Sequence, residues 1–308
     1  MALGTMTFGA QTDEAAARRM VDVCLDSGVN FFDTANAYTH GASETMLGNA
    51  LRGRRERAVI ATKVFNKMGD AADDKGLSRA AIRKAIDASL KRLGTDYVDI
   101  YYLHQPDYSV PIEETMAAMD ELVREGKVRY VAVSNYAAWQ VAEIHCICKS
   151  RGWAAPHISQ PIYNLMARGI EQEYLPFCKE FEVGVIPYNP LAGGMLTGKQ
   201  RTESGPVAGS RFDNNKLYMD RYWHEEFFAA VDALRNAARE AGITLVQLAL
   251  RWLLAQPLVD SILIGASRVE QLEENLAAAA GPALDAATLE KCDAVWKRLR
   301  GLAPQYNR

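Results

Sequence analysis

The chain lacks most of what marks a secreted, membrane or nucleic-acid-binding protein. Cysteine is scarce, with five in 308 residues, and their spacing makes no disulfide framework. Cys146 and Cys148 form a C-x-C pair, but no second pair completes a zinc site. No run of 18 apolar residues is available to span a bilayer, and mean hydropathy is −0.16. An excess of one charge is also lacking. Lys and Arg number 35 against 38 Asp and Glu, for a net charge of −3, so there is no basic footprint for nucleic acid or anionic lipid. The opening Met1-Ala2-Leu3-Gly4 has neither the charged nor the apolar region of a signal peptide. These absences predict a cytoplasmic chain with unpaired thiols and no metal, membrane or nucleic-acid partner.

What is present is alternation. Short apolar runs ending in polar residues are followed by amphipathic stretches. The predicted strands are Ala2 to Met6, Phe31 to Asp33, Val59 to Lys63, Val98 to His104, Val128 to Ser134, Ile158 to Gln160, Val183 to Tyr188 and Ser261 to Ile264. Helical patterns separate them: one capped near Thr12 or Asp13 and stopped by Gly28, then Ser43 to Leu51, Ser78 to Leu93, Ile112 to Glu125, Ala137 to Ser150, Ile170 to Phe181 and Val269 to Ala280. A prior of about 150 residues per domain suggests two domains, but α/β barrels run longer as one. No composition break divides the chain, and no strand is followed by Gly-x-Gly-x-x-Gly, the mark of a doubly wound dinucleotide fold. The expectation is one (β/α)8 TIM barrel over residues 1–308. The segment Leu191 to His224, rich in glycine and charge, reads as a long lid loop after strand seven, on the active-site face.

In such a barrel the chemistry sits at the C-terminal strand ends. Here those ends are Asp33, Lys63, His104, Ser134-Asn135, Gln160 and Tyr188, with Tyr38 five residues past Asp33. A phenol has a pKa of about 10 and is a poor acid at neutral pH. A nearby ammonium, Lys63, stabilises its phenolate, and Asp33 can hold that ammonium charged. His104 can hydrogen-bond a carbonyl oxygen or pass a proton. Each residue alone has an ordinary role: Asp33 as a loop cap, Tyr38 as a partly buried aromatic, Lys63 as a strand end or Schiff-base lysine, His104 as a core histidine. Together they make an acid for a carbonyl oxygen that is gaining negative charge, as hydride transfer to an aldehyde requires.

These residues, in this order, resemble the aldo-keto reductase superfamily over nearly the whole chain. The motifs are Leu3-Gly4-Thr5-Met6, Phe32-Asp33-Thr34-Ala35 with Tyr38, Gly41-x-Ser43-Glu44, Ala61-Thr62-Lys63, Arg92 to Asp99, Leu103-His104, Gly126-Lys127-Val128-Arg129, Ser134-Asn135-Tyr136 and Tyr188-Asn189-Pro190-Leu191. The pieces Ser134 to Trp139, Val141 to Ile144, Cys148 to Trp153, Asn189 to Lys199, Arg221-Tyr222-Trp223 and Tyr306-x-Arg308 resemble its aflatoxin-aldehyde-reductase-like branch. The resemblance implies NADPH-dependent carbonyl reduction, with Asp33, Tyr38, Lys63 and His104 catalytic and Tyr38 the acid.

The cofactor expectations follow. Tyr188 can stack on a nicotinamide whose carboxamide Ser134, Asn135 and Gln160 hydrogen-bond. Backbone N–H groups of Leu191, Ala192, Gly193 and Gly194 can approach the pyrophosphate closely. The family resemblance adds Gly4, Thr5, Met6 and Asp33 at the start, and Asn189 and Pro190 before the lid. Gly265 to Asn275 reads as a strand end running into a helix N-terminus, with Ser267 as its N-cap and free N–H groups for a phosphate. Arg268, with Lys199 and Arg211 from the lid, would favour a 2′-phosphate and hence NADPH; the family places Gln271, Glu274 and Asn275 near the adenine end. Gly193 to Lys199 also fits G-x-x-x-x-G-K, but Gln200 stands where a phosphate loop needs Ser or Thr. For the substrate, the branch implies Tyr218, Arg221 and the terminal Arg308. Two guanidiniums would favour a carboxylate-bearing aldehyde, or a dicarbonyl. Two other readings stay open: an NADPH-binding partner protein like the potassium-channel β subunits, which share this barrel, and a Schiff-base aldolase using Lys63. The branch also suggests a homodimer.

Overall fold

The structure is a computed structural model that describes residues 1–302. Eight parallel strands form the sheet: β1 (Ala2–Gly4), β2 (Phe31–Asp33), β3 (Val59–Val64), β4 (Val98–Leu103), β5 (Val128–Ser134), β6 (Ile158–Gln160), β7 (Gly184–Val185) and β8 (Leu263–Gly265). The strand order is β7-β6-β5-β4-β3-β2-β1-β8. The ends meet through backbone bonds: Asp260 N–H donates to Val185 O at 3.0 Å, and Leu263 N–H to Pro187 O at 3.0 Å. The sheet is therefore a closed barrel, as expected. Strand seven is shorter than its apolar run because Pro187 has no N–H to donate to the ladder. Pairing resumes beyond it, with Tyr188 N–H donating to Pro161 O.

Around the barrel run α1 (Glu14–Asp26), α2 (Ala42–Ala50), α3 (Arg79–Leu93), α4 (Ile112–Arg124), α5 (Ala138–Arg151) and α6 (Tyr174–Glu180). Asp13 caps α1, accepting from Ala16 N–H at 2.7 Å. The stretch after β7 is richer than a loop. It contains a short 3-10 run (Ala192–Thr197), then α7 (Lys216–Tyr222), capped by Asn215, and two further helices, α8 (Glu225–Glu240) and α9 (Leu245–Leu254). After β8 come α10 (Val269–Ala279) and α11 (Ala286–Arg300), which packs on α8.

Alternation along the strands sorts the side chains. Leu3, Phe32, Ile60, Tyr101, Leu103, Val131 and Val133 belong to the large apolar layer beneath the helices. Phe31, Val59, Ala61, Ile100, Tyr102, Ala132 and Ile158 form a separate inner cluster. Carried upward in steps of two, that inner face becomes polar at its C-terminal end: Asp33, Lys63, Ser134 and Gln160.

Candidate active site

Asp33 and Lys63 make the deepest contact. Both are fully buried, and Lys63 Nζ donates to Asp33 Oδ1 and to Thr34 O at 2.8 Å. Gln160 Nε2 donates to the other Asp33 oxygen at 2.8 Å. Burial opposes the Lys63 charge, but the adjoining carboxylate outweighs it, and the ammonium pKa ends above its ordinary value. Lys63 therefore stays cationic.

Tyr38 stands over this pair, with Lys63 Nζ 5.2 Å from its ring centre. Its position comes from a pinned loop. Thr39 Oγ1 donates to Phe8 O at 2.9 Å, and Ser43 Oγ donates to Thr5 O at 2.8 Å. Glu44, fully buried, accepts from Thr62 Oγ1 at 2.5 Å and from Arg92 Nε at 2.6 Å. Gly41, at φ 91°, sits where a Cβ would lie 2.7 Å from the Arg92 side chain. The Gly41-x-Ser43-Glu44 motif thus anchors the loop that carries Tyr38. Burial pushes the phenol pKa up and Lys63 offsets only part of this, so it ends above its ordinary value. The Lys63 charge alone would lower it; desolvation of the phenolate overrides that effect.

His104 closes the group, its ring edge-on to Tyr38 with centroids 6.2 Å apart. Burial, aided by the Lys63 charge, drives its pKa down to about 3, so the ring is neutral near pH 7. Its Nδ1 lies 3.2 Å from Asn66 Nδ2, and its backbone O accepts from Asn135 Nδ2 at 2.9 Å. Asn66 belongs to none of the motifs singled out in the sequence. It lies three residues past Lys63, and the signal was there: residues just beyond a strand end share its rim.

A pocket of about 670 Å³ opens above these groups. Of the expected residues, Gly4, Met6, Asp33, Tyr38, His104, Ser134, Asn135, Gln160, Tyr188, Asn189, Pro190, Leu191, Gly193, Gly194, Lys199, Arg211, Tyr218, Arg221, Gly265, Ser267, Gln271 and Asn275 line it. Lys63 lies buried just beneath. Gln11, Asn66, Gln105 and Leu217 also line it and were not foreseen. Thr5 and Ala192 are fully buried off the wall. Thr5 instead ties Asp33 O to Ser43, because its short hydroxyl fits the gap between β1 and the Tyr38 loop. Arg268 and Glu274 are exposed outside the wall, since they flank the helix turn that presents Gln271 and Asn275. Arg308 lies outside the described residues.

Several polar groups are already engaged. Asn135 spends its amide on His104 O, Ser134 Oγ and, as acceptor, Tyr188 OH at 2.8 Å. Ser134 Oγ donates to Gln160 O. The N-cap of α10 is Arg268, not Ser267, and it makes no side-chain cap bond. Gln271 Oε1 takes the Ser267 N–H at 3.0 Å instead, which leaves the first turn of α10 without a side-chain cap. Gly193, at φ 67°, turns against the Tyr218 ring, where a Cβ would approach to 2.6 Å. The lid reaches back across the pocket: Gln11 Nε2 donates to Gly209 O at 3.1 Å, and Arg211 Nη1 donates to Tyr218 OH at 3.0 Å. The guanidiniums of Arg211 and Arg221 both lie within 6 Å of the Tyr218 ring centre, at 5.7 and 5.8 Å.

A profile of the Aldo/keto reductase family matches residues 1–297. The chain belongs to the aldo/keto reductase family. It is 38% identical to rat aflatoxin B1 aldehyde reductase member 2 over 323 aligned positions, covering 99% of this chain and 87% of that protein. It is 36% identical to human aldo-keto reductase family 7 member A3, across 99% and 96% of the two chains. A probable voltage-gated potassium channel subunit beta of Arabidopsis thaliana is 40% identical across 89% of this chain and 84% of its own. This aldo/keto reductase is thus an oxidoreductase by family. Among its described residues no helix is long and apolar enough to cross a membrane, and no cluster of His, Cys, Asp and Glu could hold a metal ion.

Proposed function

We propose that this aldo/keto reductase reduces aldehydes to alcohols with NADPH, in the cytoplasm, as one domain over residues 1–308. The observation that carries the reading is the buried Asp33–Lys63 pair set beneath Tyr38 and beside a neutral His104. The features that suit a dinucleotide are the uncapped first turn of α10, the Gly193-Gly194 turn with open space at Gly194 where a Cβ would sit, and the orphaned buried Nδ2 of Asn189. Tyr188, Gln160 and Ser134 would hold the nicotinamide end, Lys199 and Arg211 on the wall the phosphates, with Arg268, exposed outside the wall at the start of α10, free to turn toward them, and Gln271 and Asn275 the adenine end. When bound, the nicotinamide supplies the hydride. The chain's own residues do the rest. Tyr38, neutral across the physiological range, gives its proton to the carbonyl oxygen. Lys63 stabilises the phenolate left behind, and Asp33 holds Lys63 charged and in place. The neutral His104 orients the same oxygen by hydrogen bonding. A Schiff base on Lys63 is disfavoured, because a paired, protonated amine is a poor nucleophile.

The test is NADPH absorbance decay with 4-nitrobenzaldehyde, for wild type and Tyr38→Phe, each repeated with NADH. Turnover should fall on the order of 10³-fold in the variant while NADPH binding persists, and NADPH should outrun NADH. Undiminished turnover by Tyr38→Phe would remove Tyr38 as the acid. The likeness to the Arabidopsis protein favours a second reading, a barrel that binds NADPH but serves a partner protein; binding without turnover of any aldehyde would select it.

Arg221 on the lid, beside Tyr218, favours an aldehyde carrying a carboxylate. Arg221→Ala should raise KM for succinic semialdehyde on the order of 10-fold while 4-nitrobenzaldehyde changes little. Equal changes for both would sink that preference. A homodimer is part of the same reading, and sedimentation velocity would test it.

A further inference from the structure

The reductase reading needs His104 to present a hydrogen-bond donor to the carbonyl oxygen, and a neutral imidazole does so from only one of its nitrogens. Which one is decided by what the other nitrogen meets. Here Nδ1 meets Asn66 Nδ2 at 3.2 Å. An amide nitrogen can only donate, so with Asn66 turned this way Nδ1 accepts and the ring proton sits on Nε2. The approach is built into the backbone. His104 N–H donates to Val64 O at 3.0 Å, which docks the end of β3, and Asn66 two residues on, against the end of β4. From the other side Asn135 holds the His104 carbonyl.

We infer that Asn66 is a positioning residue for His104, whose amide N–H keeps Nδ1 an acceptor and leaves Nε2–H as the donor toward the substrate. The inference rests on the reductase reading and deepens it. With the opposite tautomer His104 would offer a lone pair to the carbonyl oxygen, two acceptors would face each other, and only Tyr38 would remain to bind that oxygen. The groups at the ring reinforce neutrality: Lys63 from β3, whose charge opposes a second proton, and Tyr38 from the loop after β2, while the lid adds only cations, Arg211 and Arg221, to the same pocket. None of these is a carboxylate that could draw a second proton onto the ring, and Asp33 is already engaged by Lys63 and Gln160.

The test is a long-range proton–nitrogen correlation spectrum of the full chain labelled at its five histidines, with the His104 signals assigned through His104→Gln. Wild type should show a neutral Nε2–H ring, unchanged from pH 5 to 8. In Asn66→Asp the carboxylate would accept from Nδ1, so the neutral ring should switch to Nδ1–H and begin to titrate inside that range. Its kcat for 4-nitrobenzaldehyde should fall on the order of 10- to 100-fold with a new pH dependence and an unchanged KM for NADPH. Asn66→Leu, which removes the donor without adding charge, should give mixed tautomers and a smaller fall in kcat. A wild-type ring protonated on Nδ1, as the reversed Asn66 amide would produce, overturns the inference. So does an Asn66→Leu ring that stays purely Nε2–H, and this result still decides if Asn66→Asp fails to fold. The spectrum does not depend on turnover: an Nε2–H ring in a protein that reduces no aldehyde would uphold Asn66 and overturn the reductase reading alone.

Discussion

The rim of β2 to β4 and the lid after β7 face the same pocket but are built on opposite principles. On the rim, charged groups are sunk out of water and paired. Asp33 and Lys63 are fully buried, Glu44 is fully buried against Arg92, and strand register sets the spacing of each pair. Across the pocket, the lid keeps Lys199 exposed and Arg211 and Arg221 partly so, on a segment turned by Gly193 and Gly194 and tethered by single hydrogen bonds. Buried charges without partners are costly, so the rim can hold only one arrangement. The lid gives up little by moving, which suits the proposed reductase, where this wall would admit and release a dinucleotide. In the proposed reductase the chemistry would fall to the stiff side and selection of ligand to the adaptable side.

The sharpest way to break that contrast is to remove one charge of the rim pair. Lys63→Met leaves the Asp33 carboxylate buried with only Gln160, which should cost about 3–5 kcal/mol of stability and abolish reduction. Asp33→Asn should do similar damage by stranding the ammonium. The double variant Asp33→Asn/Lys63→Met removes both charges and should regain most of the stability while staying inactive. Urea unfolding at pH 7 reads all three. The lid counterpart, Arg221→Ala, should move stability by about 0.5 kcal/mol or less. If Lys63→Met unfolds with wild type, or Arg221→Ala costs as much as Lys63→Met, the two walls are not built differently.

A second effect, somewhat smaller, tests how dry the rim is. An unfolded histidine titrates near pH 6.5, whereas folded His104 titrates at about 3. Between those values the unfolded chain binds the extra proton, so stability is intact above pH 6.5 and drains as pH falls toward 3. The slope is at most about 1.4 kcal/mol per pH unit. Wild type should therefore lose up to about 3 kcal/mol more than His104→Gln between pH 7 and pH 4. Subtracting the two curves cancels the other titrating groups. Parallel curves would mean that water and protons reach His104 freely.

The same contrast separates what was legible in the sequence from what was not. Asp33, Lys63, His104, Ser134 and Gln160 could be read because strands alternate with a period of two and end in polar residues. Tyr38 could be read because its loop carries a motif that the structure resolves into specific anchors, Ser43 and Glu44. The barrel itself was legible from repetition. What the sequence hides is the pairing of side chains that the fold brings together. Asn66 gains meaning only once Val64 docks on His104. Asn135 appears free in sequence yet has its amide committed on three sides. Ser267 has the residue type of an N-cap, but Gln271 reaches back for its N–H and shifts the cap to Arg268. In the lid, Lys216–Tyr222 hid inside a stretch whose glycines and charges read as irregular, although Asn215 was a usable start signal. Helices α8, α9 and α11 escaped because no strand precedes each of them, so a search for alternation passes over them.

The smallest expected effect concerns the tether. Gln11, in the turn after β1, donates to Gly209 O at 3.1 Å across the pocket mouth, the residues being far apart in sequence. One exposed neutral hydrogen bond contributes about 0.5–1.5 kcal/mol, mostly at the low end when water can replace it. Gln11→Ala should leave Tyr38 chemistry and urea stability nearly untouched. Its consequence should fall on exchange through the mouth: NADPH release, followed by stopped-flow fluorescence, should quicken by about two- to fivefold with little change in association. In a lid held by many weak contacts, losing one loosens the whole by its own share and no more. Arg211, which bonds both Tyr218 OH and Met6 Sδ at 3.1 Å, would still hold the segment. An unchanged release rate would mean that the Arg211 contacts alone set closure. A loss of turnover comparable to that of Lys63→Met would mean that lid and rim act as one unit, and the division of labour drawn from burial would fail.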